Sequence, residues 1–149
     1  MVVVVLDNVR SAHNVGAVFR TVDSLGASEV VLCGITARPP HKEVHKSALG
    51  AEMSVPFRYF EQTVDALGVL REDGFEIVAV EQVEGSVMLQ DFVRDSARKY
   101  AFVMGNEVEG VSVEALAMCD SAVEIEQKGM KKSLNVSVAA GIVLFEILK

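Results

Sequence analysis

The 149-residue chain has no tryptophan, only two cysteines and three prolines, and no apolar run long enough to span a membrane. Cys33 and Cys119 lie in apolar runs without the spacing of metal ligands. We therefore expect two small core side chains in a reducing compartment and no metal site. The apolar run over residues 2–6 is too short for a signal peptide and has no basic segment before it. These absences predict a cytoplasmic protein without a membrane partner.

Basic residues are outnumbered: 14 lysines and arginines against 21 acidic residues give a formal net charge of −7. Phosphate neutralisation dominates the binding of nucleic acids, so this charge by itself argues against RNA or DNA. The basic residues are nevertheless clustered in two regions. One region contains Arg38, His41, Lys42, His45 and Lys46, and the other contains Lys128, Lys131 and Lys132. On charge alone, ordinary solvated loops explain both clusters better than a binding site does.

Half of the residues are apolar, and the length is that of one domain with a proper core. Short, continuous, β-branched apolar runs predict buried strands of a parallel sheet at residues 2–6, 29–33, 75–80, 100–104 and 122–125. Helices are predicted between them, at residues 14–25, 62–72 and 112–118. Over residues 85–95 we expect a short strand or turn and then a short helix, whereas Pro39-Pro40 excludes a helix in the basic loop. The alternation predicts an α/β domain with a mainly parallel sheet.

The most distinctive stretch runs from Lys128 to Gly141, where a basic, glycine-containing loop leads into an apolar helix over residues 136–148. Ser133 and Asn135 are the polar residues at the junction. Either one can cap the helix, because a short side-chain oxygen accepts a free N–H of the first turn. Such N–H groups also suit an anion or a polar ligand. The helix lacks a polar face, so we expect it to be buried on every side, in part by a second subunit.

The helix predicted over residues 14–25 carries a second group of residues. Arg20 lies off its apolar stripe, on the same face as Gly16 and Ser24. Helical side chains lean toward the N-terminus, so Arg20 would pass over Gly16 toward Asn14. A glycine inside a helix costs about 1 kcal/mol. Gly16 therefore indicates either a pocket beside Arg20 or an incidental glycine next to a surface arginine, and both interpretations stay open.

A third group, Gly-Asn-Glu-Val-Glu-Gly at residues 105–110, follows the strand predicted over residues 100–104. Ligands of open parallel sheets bind beyond the carboxyl ends of the strands, and Gly105 allows close approach of a backbone there. The segment is neither a P-loop nor a dinucleotide-binding fingerprint. Taken alone, it is equally well explained as an acidic turn between a strand and a helix.

Together, the three groups resemble the three motifs of the SpoU branch of the SPOUT RNA methyltransferases. Residues 14–21 resemble the first motif, residues 103–112 the second, and Ile125, Gly129 and residues 133–139 the third. The motifs occur in the family's order and span nearly the whole chain. The resemblance implies that residues 1–149 form a single catalytic domain with a deep C-terminal trefoil knot and no appended RNA-binding domain. It also implies a homodimer built partly on the first and last helices.

A cofactor and a reaction follow from the same resemblance. S-adenosylmethionine would be bound in a bent shape, mainly by backbone atoms, and its methyl group would be transferred to a ribose 2′-OH. The corresponding cofactor-binding positions are Glu81, Gly105, Ile125, Gly129, Ser133 and Leu134. The family has Pro-Met after the isoleucine of the third motif, where this chain has Glu126-Gln127. A carboxylate at that place can alter cofactor affinity or loop shape.

The catalytic residues implied by the resemblance are Arg20, Asn14, Glu107, Asn135 and Ser133. The family assigns removal of the 2′-OH proton to the arginine, which acts across the subunit interface. A guanidinium stays protonated and accepts no hydrogen bond, so an easier role for Arg20 is to hold a phosphate and orient the ribose. Asn14 would position Arg20 or the substrate. Glu107 would hold Arg20 or the loop of the third motif, and Ser133 and Asn135 would fix that loop.

RNA is the implied substrate. The candidate RNA-binding residues are His13, Arg38, His41, Lys42, His45, Lys46, Lys128, Lys131 and Lys132. Residues 13–26 and 129–140 look most like the enzymes that methylate a guanosine ribose in the tRNA D-loop, and ribosomal RNA is the next candidate. Two other classes stay open. The acidic charge and Glu126-Gln127 favour a non-catalytic RNA-binding or assembly factor, and an α/β protein that binds a small molecule is the third possibility.

Overall fold

A computed structural model of the protein describes residues 1–131 and 133–149. The strands are β1 Val2–Asp7, β2 Glu29–Cys33, β3 Phe57–Phe60, β4 Phe75–Val80, β5 Val87–Met88, β6 Lys99–Met104 and β7 Ser121–Glu124. The helices are α1 Ala12–Leu25, α2 Lys42–Ala48, α3 Ala51–Ser54, α4 Thr63–Glu72, α5 Val113–Met118 and α6 Val136–Leu148. A 3₁₀ turn over Leu89–Asp91 follows β5. In this part of the chain, no helix has both the length and the apolar character needed to cross a bilayer.

The seven strands form one sheet in the order β3-β2-β1-β6-β4-β7-β5, and each neighbouring pair is parallel. The predicted α/β class with a mainly parallel sheet is thereby confirmed. Leu6 of β1 is level with Met104 of β6, and Val80 of β4 is level with Val123 of β7. The loops that follow these four strands therefore begin at one edge of the sheet. The trefoil knot stays a prediction, since strand order alone does not trace a chain crossing.

Both faces of the sheet are covered by helices, which explains why its strands are continuous apolar runs. Val2, Val4 and Leu6 of β1 join a core with α1 and α6. Val3 and Val5 point to the opposite face and join a core with α4 and α5. All six residues of β1 are buried.

The region after β2 differs from the prediction. Helix α2 begins at Lys42, directly after its N-cap His41, whose Nδ1 accepts the Glu43 N–H at 3.1 Å. The expectation that Pro39-Pro40 excludes a helix from the basic loop is wrong, because proline restricts its own position and the residue before it, not a helix that starts after it. Two further elements, α3 and the edge strand β3, were not predicted.

Gly16 has a different role from either interpretation of the sequence. A Cβ at this position would overlap Ser47 Oγ and the carbonyl oxygen of Val44, both on α2. The glycine therefore lets α1 and α2 pack closely. It neither provides a pocket for Arg20 nor is incidental, because α2 occupies the space beside it.

Helix α6 has the predicted bounds, and Asn135 is its N-cap. The Asn135 Oδ1 accepts the N–H groups of Ser137 at 2.9 Å and Val138 at 3.4 Å. One side of α6 is buried in the core, but Val138, Ile142 and Phe145 form an exposed apolar stripe on the other side, with Phe145 67% exposed. The single chain leaves this stripe uncovered, and the predicted cover by a second subunit stays a prediction.

Candidate active site

A cavity of about 290 Å³ lies at the carboxyl ends of β4, β6 and β7. This is the place where ligands bind in open parallel sheets. Its walls include the loop of residues 105–110 and the segment between β7 and α6. Among the residues that line it are Glu81, Gly105, Gly110, Ile125, Ser133 and Leu134. Five of the six predicted cofactor-binding positions thus surround one cavity.

Gly129, the remaining position, lies away from this cavity in an exposed bend, with open space where a Cβ would be. Lys128 and Lys131 are exposed in the same segment. Lys132 lies outside the described residues. His13 is exposed near the start of α1, and its carbonyl oxygen accepts the Ser47 hydroxyl at 2.7 Å.

The second-motif loop is closed by its own backbone. Asn106 and Gly110 exchange two N–H···O bonds of 2.9 Å. A Cβ at Gly105 would overlap the backbone of Gly110 and Val111, so this position requires glycine. The Asn106 Nδ2 donates to the Asn8 carbonyl oxygen at 2.7 Å, which fixes the loop to the end of β1. Sequence reasoning missed Asn106, although an asparagine after a strand-ending glycine is a typical turn signal.

One side chain from each motif takes part in a continuous chain of contacts. Glu107 Oε1 accepts the Arg10 N–H at 2.7 Å, and its Oε2 accepts the Ser11 N–H at 2.9 Å. The Asn14 Nδ2 approaches Glu107 Oε2 at 3.5 Å. The Asn135 Nδ2 donates to Asn14 Oδ1 at 3.2 Å. The Glu107–Asn14–Asn135 chain therefore links the second motif to the first and the first to the third.

Within its own chain, Glu107 holds the β1–α1 loop. A contact with Arg20 of a second subunit stays a prediction. Burial works to raise the pKa of Glu107, but the N–H groups of Arg10 and Ser11 outweigh it and hold the pKa below the ordinary value. The carboxylate is thus ionised at neutral pH and acts as a fixed acceptor.

Arg20 lies elsewhere on the chain's surface. It is exposed and lines a separate hollow together with Asp23, Ser24, Leu49 and Gly50. It does not line the cavity at the ends of β4, β6 and β7. The expected position of Arg20 over Gly16, toward Asn14, does not occur, because α2 occupies the space over Gly16. Within one chain, Arg20 therefore lies apart from the cavity. Its implied action across a subunit interface stays a prediction.

The described lining of the cavity is acidic. Glu81, Glu107, Glu109 and Glu124 line it, and no lysine or arginine does. Burial raises the pKa of Glu81, which a hydrogen bond from the Val111 N–H partly offsets. Such a wall suits a cationic group such as a sulfonium or an ammonium and disfavours a phosphate. The residues present therefore fit S-adenosylmethionine better than a nucleotide.

Of the two residues that replace the family's Pro-Met, only one lines the cavity. Glu126 is exposed and does not line the cavity, whereas Gln127 lines it and its Nε2 donates to the Ile125 carbonyl oxygen at 3.4 Å. The carboxylate of Glu126 is thus outside the cavity wall.

Among the described residues, no three metal-binding side chains lie together. Burial raises the pKa of Cys33 to about 12 and that of Cys119 to about 11, so both thiols stay protonated at neutral pH.

Comparison with known proteins defines the class. Residues 1–145 match the profile of the SpoU rRNA methylase family. The chain belongs to this family, as its three motifs predicted. The tRNA (guanosine(18)-2′-O)-methyltransferase of Thermus thermophilus is 37% identical to it over 96% of this chain and 72% of that enzyme. The 23S rRNA (guanosine-2′-O-)-methyltransferase of Neisseria meningitidis serogroup B is 34% identical over 95% of this chain and 56% of its own length.

Solved structures agree with the fold. The AdoMet-bound rRNA methyltransferase from Sinorhizobium meliloti has a TM-score of 0.91 and 34% identity, over 98% of this chain and 55% of that one. The TrmH/SpoU tRNA modifying enzyme of A. aeolicus has a TM-score of 0.86 and 32% identity, over 99% of this chain and 73% of that one. The chain thus spans between 55% and 73% of the length of these relatives.

Proposed function

We propose that this chain catalyses transfer of a methyl group from S-adenosylmethionine to a ribose 2′-OH in structured RNA, which releases S-adenosylhomocysteine and the hydroxyl proton. The observation that carries the proposal is the Glu107–Asn14–Asn135 chain, which joins the three motifs beside an acidic cavity. A guanosine in tRNA is the first candidate and ribosomal RNA the second. The named activities of the Thermus and Neisseria relatives support these two substrates, and the tRNA enzyme has the higher sequence identity of the two.

The cavity residues have separate tasks in this proposal. Bound S-adenosylmethionine supplies a methyl group on a positively charged sulfur, and the acidic wall favours that charge. Gly105, Ile125 and Leu134 offer backbone and apolar surface, and no lysine or arginine among the described residues lines the cavity beside them. The Glu107–Asn14–Asn135 chain fixes the loops, and fixed alignment of reacting groups can contribute roughly 7–11 kcal/mol at best.

The active unit in this proposal is a homodimer. The exposed stripe of Val138, Ile142 and Phe145 on α6 is an apolar surface that a second copy can cover. Arg20 lies outside its own chain's cavity, so it would complete the cavity of the partner. There the guanidinium would hold an RNA phosphate in a bidentate fork and orient the ribose.

The test is methyl transfer from labelled S-adenosylmethionine to unmodified bulk tRNA and, separately, to ribosomal RNA. We expect incorporation into one of them and loss of incorporation in Arg20→Ala. A folded protein that binds neither cofactor nor RNA contradicts the proposal. A protein that binds RNA but no cofactor supports a non-catalytic RNA-binding factor instead.

Mixing two inactive variants tests the action of Arg20 across the interface. Arg20→Ala and Asn135→Ala damage different halves of the site, so a mixed dimer contains one site with both residues intact. Random re-association of equal amounts should restore about a quarter of the wild-type activity, because half of the dimers are mixed and one of their two sites is complete. Restoration to no more than the sum of the separate variants would show that each chain uses its own arginine.

A further inference from the structure

We propose that the cavity between the Pro39–His41 segment and helix α3 binds an unpaired nucleobase of the RNA substrate, with the phosphates of the same strand along helix α2. The inference rests on the proposed function and adds a second recognition site to it. We call this cavity the α2–α3 pocket. It is lined by Pro39, Pro40, His41, Lys42, His45, Glu52, Met53 and Phe57.

The size and the apolar surface of the α2–α3 pocket fit a base. Its volume is about 630 Å³, more than twice the 290 Å³ of the cavity at the ends of β4, β6 and β7. Pro40 is exposed, Met53 is 86% exposed, and Phe57 is half-buried with its ring packed edge-on against Phe19. An aromatic ring supported from behind and open in front is the arrangement on which unpaired bases stack.

Charge complementarity identifies RNA as the occupant. The chain as a whole has a net charge of −7, yet exposed His41, Lys42 and His45 border this pocket. Next to Pro39, the Arg38 guanidinium lies 3.9 Å from the centre of the Tyr59 ring, which fixes a further positive charge nearby. An apolar floor with a basic border matches a base attached to a phosphodiester better than it matches another acidic chain.

The acidic residues near the pocket, Glu52 and Glu43, are each paired with a basic residue of α2. Glu52 is buried beneath His45, with its Oε2 2.7 Å from Nδ1 of that histidine, and its side chain is only 6% exposed. The hydrogen bond from His45 holds the pKa of Glu52 below the ordinary value, so Nδ1 is the donor at neutral pH. Glu52 thereby fixes the 73% exposed His45 ring at the pocket border. Glu43 pairs with Lys46 at 3.2 Å, and Lys42 is the lysine that lines the pocket.

The experiment compares the affinity of unmodified tRNA for three variants as a function of salt concentration. Met53→Ala removes base contact but no charge, Lys42→Gln removes a phosphate contact, and Val93→Ala is the control because Val93 is 88% exposed and lies outside the pocket. We expect Met53→Ala to weaken binding several-fold at each salt concentration, because it removes apolar surface that the base would cover. Lys42→Gln should reduce the slope of log K against log salt by about 1. Val93→Ala should bind like the wild type.

Photocrosslinking provides a second measurement, on the wild type. Unmodified tRNA transcribed with 5-iodouridine should give crosslinked peptides from residues 39–57 after irradiation and digestion, because the halogenated base would lie against this pocket. Wild-type affinity of Met53→Ala, with crosslinks only in other peptides, would overturn the pocket while leaving the proposed methyl transfer intact. Loss of dimers in light scattering by Met53→Ala would also overturn it, since the pocket would then be a protein interface. A wild type that neither binds nor methylates RNA would instead refute the proposed function.

Discussion

Asn14 and Arg20 lie on the same helix, about 9 Å apart along its axis, and have opposite surroundings. Asn14 is 8% exposed and has hydrogen-bond partners in the other two motifs. Arg20 is exposed in a hollow whose lining shares no residue with the cavity at the ends of β4, β6 and β7. Helix α1 therefore contributes the hydrogen-bonded Asn14 to the site of its own chain and exposes Arg20 on the surface. Under the proposed dimer, the site would have two halves, one preorganised within the chain by Asn14 and the other completed by Arg20 of the second subunit.

Replacement of Arg20 by lysine tests the half of the site that would be completed on assembly, and it should have the largest effect. Lysine keeps the charge but loses the planar fork that holds a phosphate at two points. We expect methyl transfer to fall on the order of 100-fold or more, since small misplacements of reacting groups have losses of that size. Arg20 is exposed and outside the cavity, so cofactor affinity and melting temperature should stay unchanged.

The measurements are single-turnover methyl transfer, cofactor titration and thermal unfolding of the same preparation. Arg98→Lys is the matched control, because Arg98 is 63% exposed and precedes β6 at the opposite edge of the sheet. A wild-type rate in Arg20→Lys would mean that charge alone suffices at this position. A loss of cofactor binding would place Arg20 in the preorganised half.

Replacement of Glu107 by glutamine tests the fixed half. The amide nitrogen of glutamine cannot accept one of the two N–H groups of Arg10 and Ser11. Because these are hydrogen bonds to a charged group, the free energy of unfolding should fall by about 1.5–3 kcal/mol at pH 7. Cofactor affinity should fall as well, since Glu107 lines the cavity.

The pH dependence of the Glu107→Gln effect has a defined sign. The pKa of Glu107 is lower in the folded chain than in the unfolded one. Its contribution is therefore present above the unfolded pKa and is lost as the pH falls through the folded pKa. Urea unfolding from pH 3 to pH 7 should show wild type and variant converging at the acidic end. A constant difference over this range would mean that the ionised form has no special role.

Two substitutions at Asn135 separate capping from linkage between motifs, and their effects on stability are smaller. Asn135→Asp keeps the oxygen that caps α6 but loses the N–H that reaches Asn14. Asn135→Ala loses both. We expect the alanine variant to lose about 0.5–2 kcal/mol of stability, as for other N-caps, and the aspartate variant to stay near the wild type.

Methyl transfer should decrease in both Asn135 variants, because both break the link to the first motif. Thermal unfolding and transfer rate, measured on the same samples, distinguish the two functions of the side chain. If the aspartate variant is fully active, the contact with Asn14 is not needed for transfer and Asn135 is only a cap.

Local patterns predicted the five central strands of the sheet and the motif positions, because each depends on neighbours in sequence. The strands are continuous apolar runs, and α6 begins at a polar cap, so their bounds could be read directly. The role of Gly16 could not be predicted, because the atoms that exclude a Cβ belong to residues 44–48 on another helix. The prediction misses helix α2 because it takes Pro39-Pro40 to exclude a helix from the whole basic region. The two prolines precede the N-cap His41, so they do not restrict the helix that begins at Lys42. The surroundings of Arg20 depend likewise on how α1 packs against α2 and α3.

Replacement of Glu81 by glutamine tests the preorganised half and should have the smallest effect. It lines the cavity, and a Cβ at Gly110 would overlap its Oε1, so the carboxyl group lies directly against the second-motif loop. Burial raises the pKa of Glu81 in the folded chain. Ionisation therefore opposes folding as the pH rises from the unfolded pKa through the folded pKa. Without cofactor, Glu81→Gln should be more stable than the wild type at pH 7 and equal to it below the unfolded pKa.

Cofactor binding should change in the opposite direction. An ionised Glu81 attracts the cationic sulfonium, so Glu81→Gln should bind S-adenosylmethionine several-fold more weakly at pH 7, by the attraction of partly solvated charges. The neutral thioether S-adenosylhomocysteine should lose less affinity. Glu84→Gln is the control, because it removes an equal charge three residues away on an exposed loop. Isothermal titration of both ligands at pH 5 and pH 8 measures the difference. Equal losses for both ligands would show that Glu81 holds a part of the cofactor that they share. The acidic charge of the cavity wall would then not explain a preference for the sulfonium.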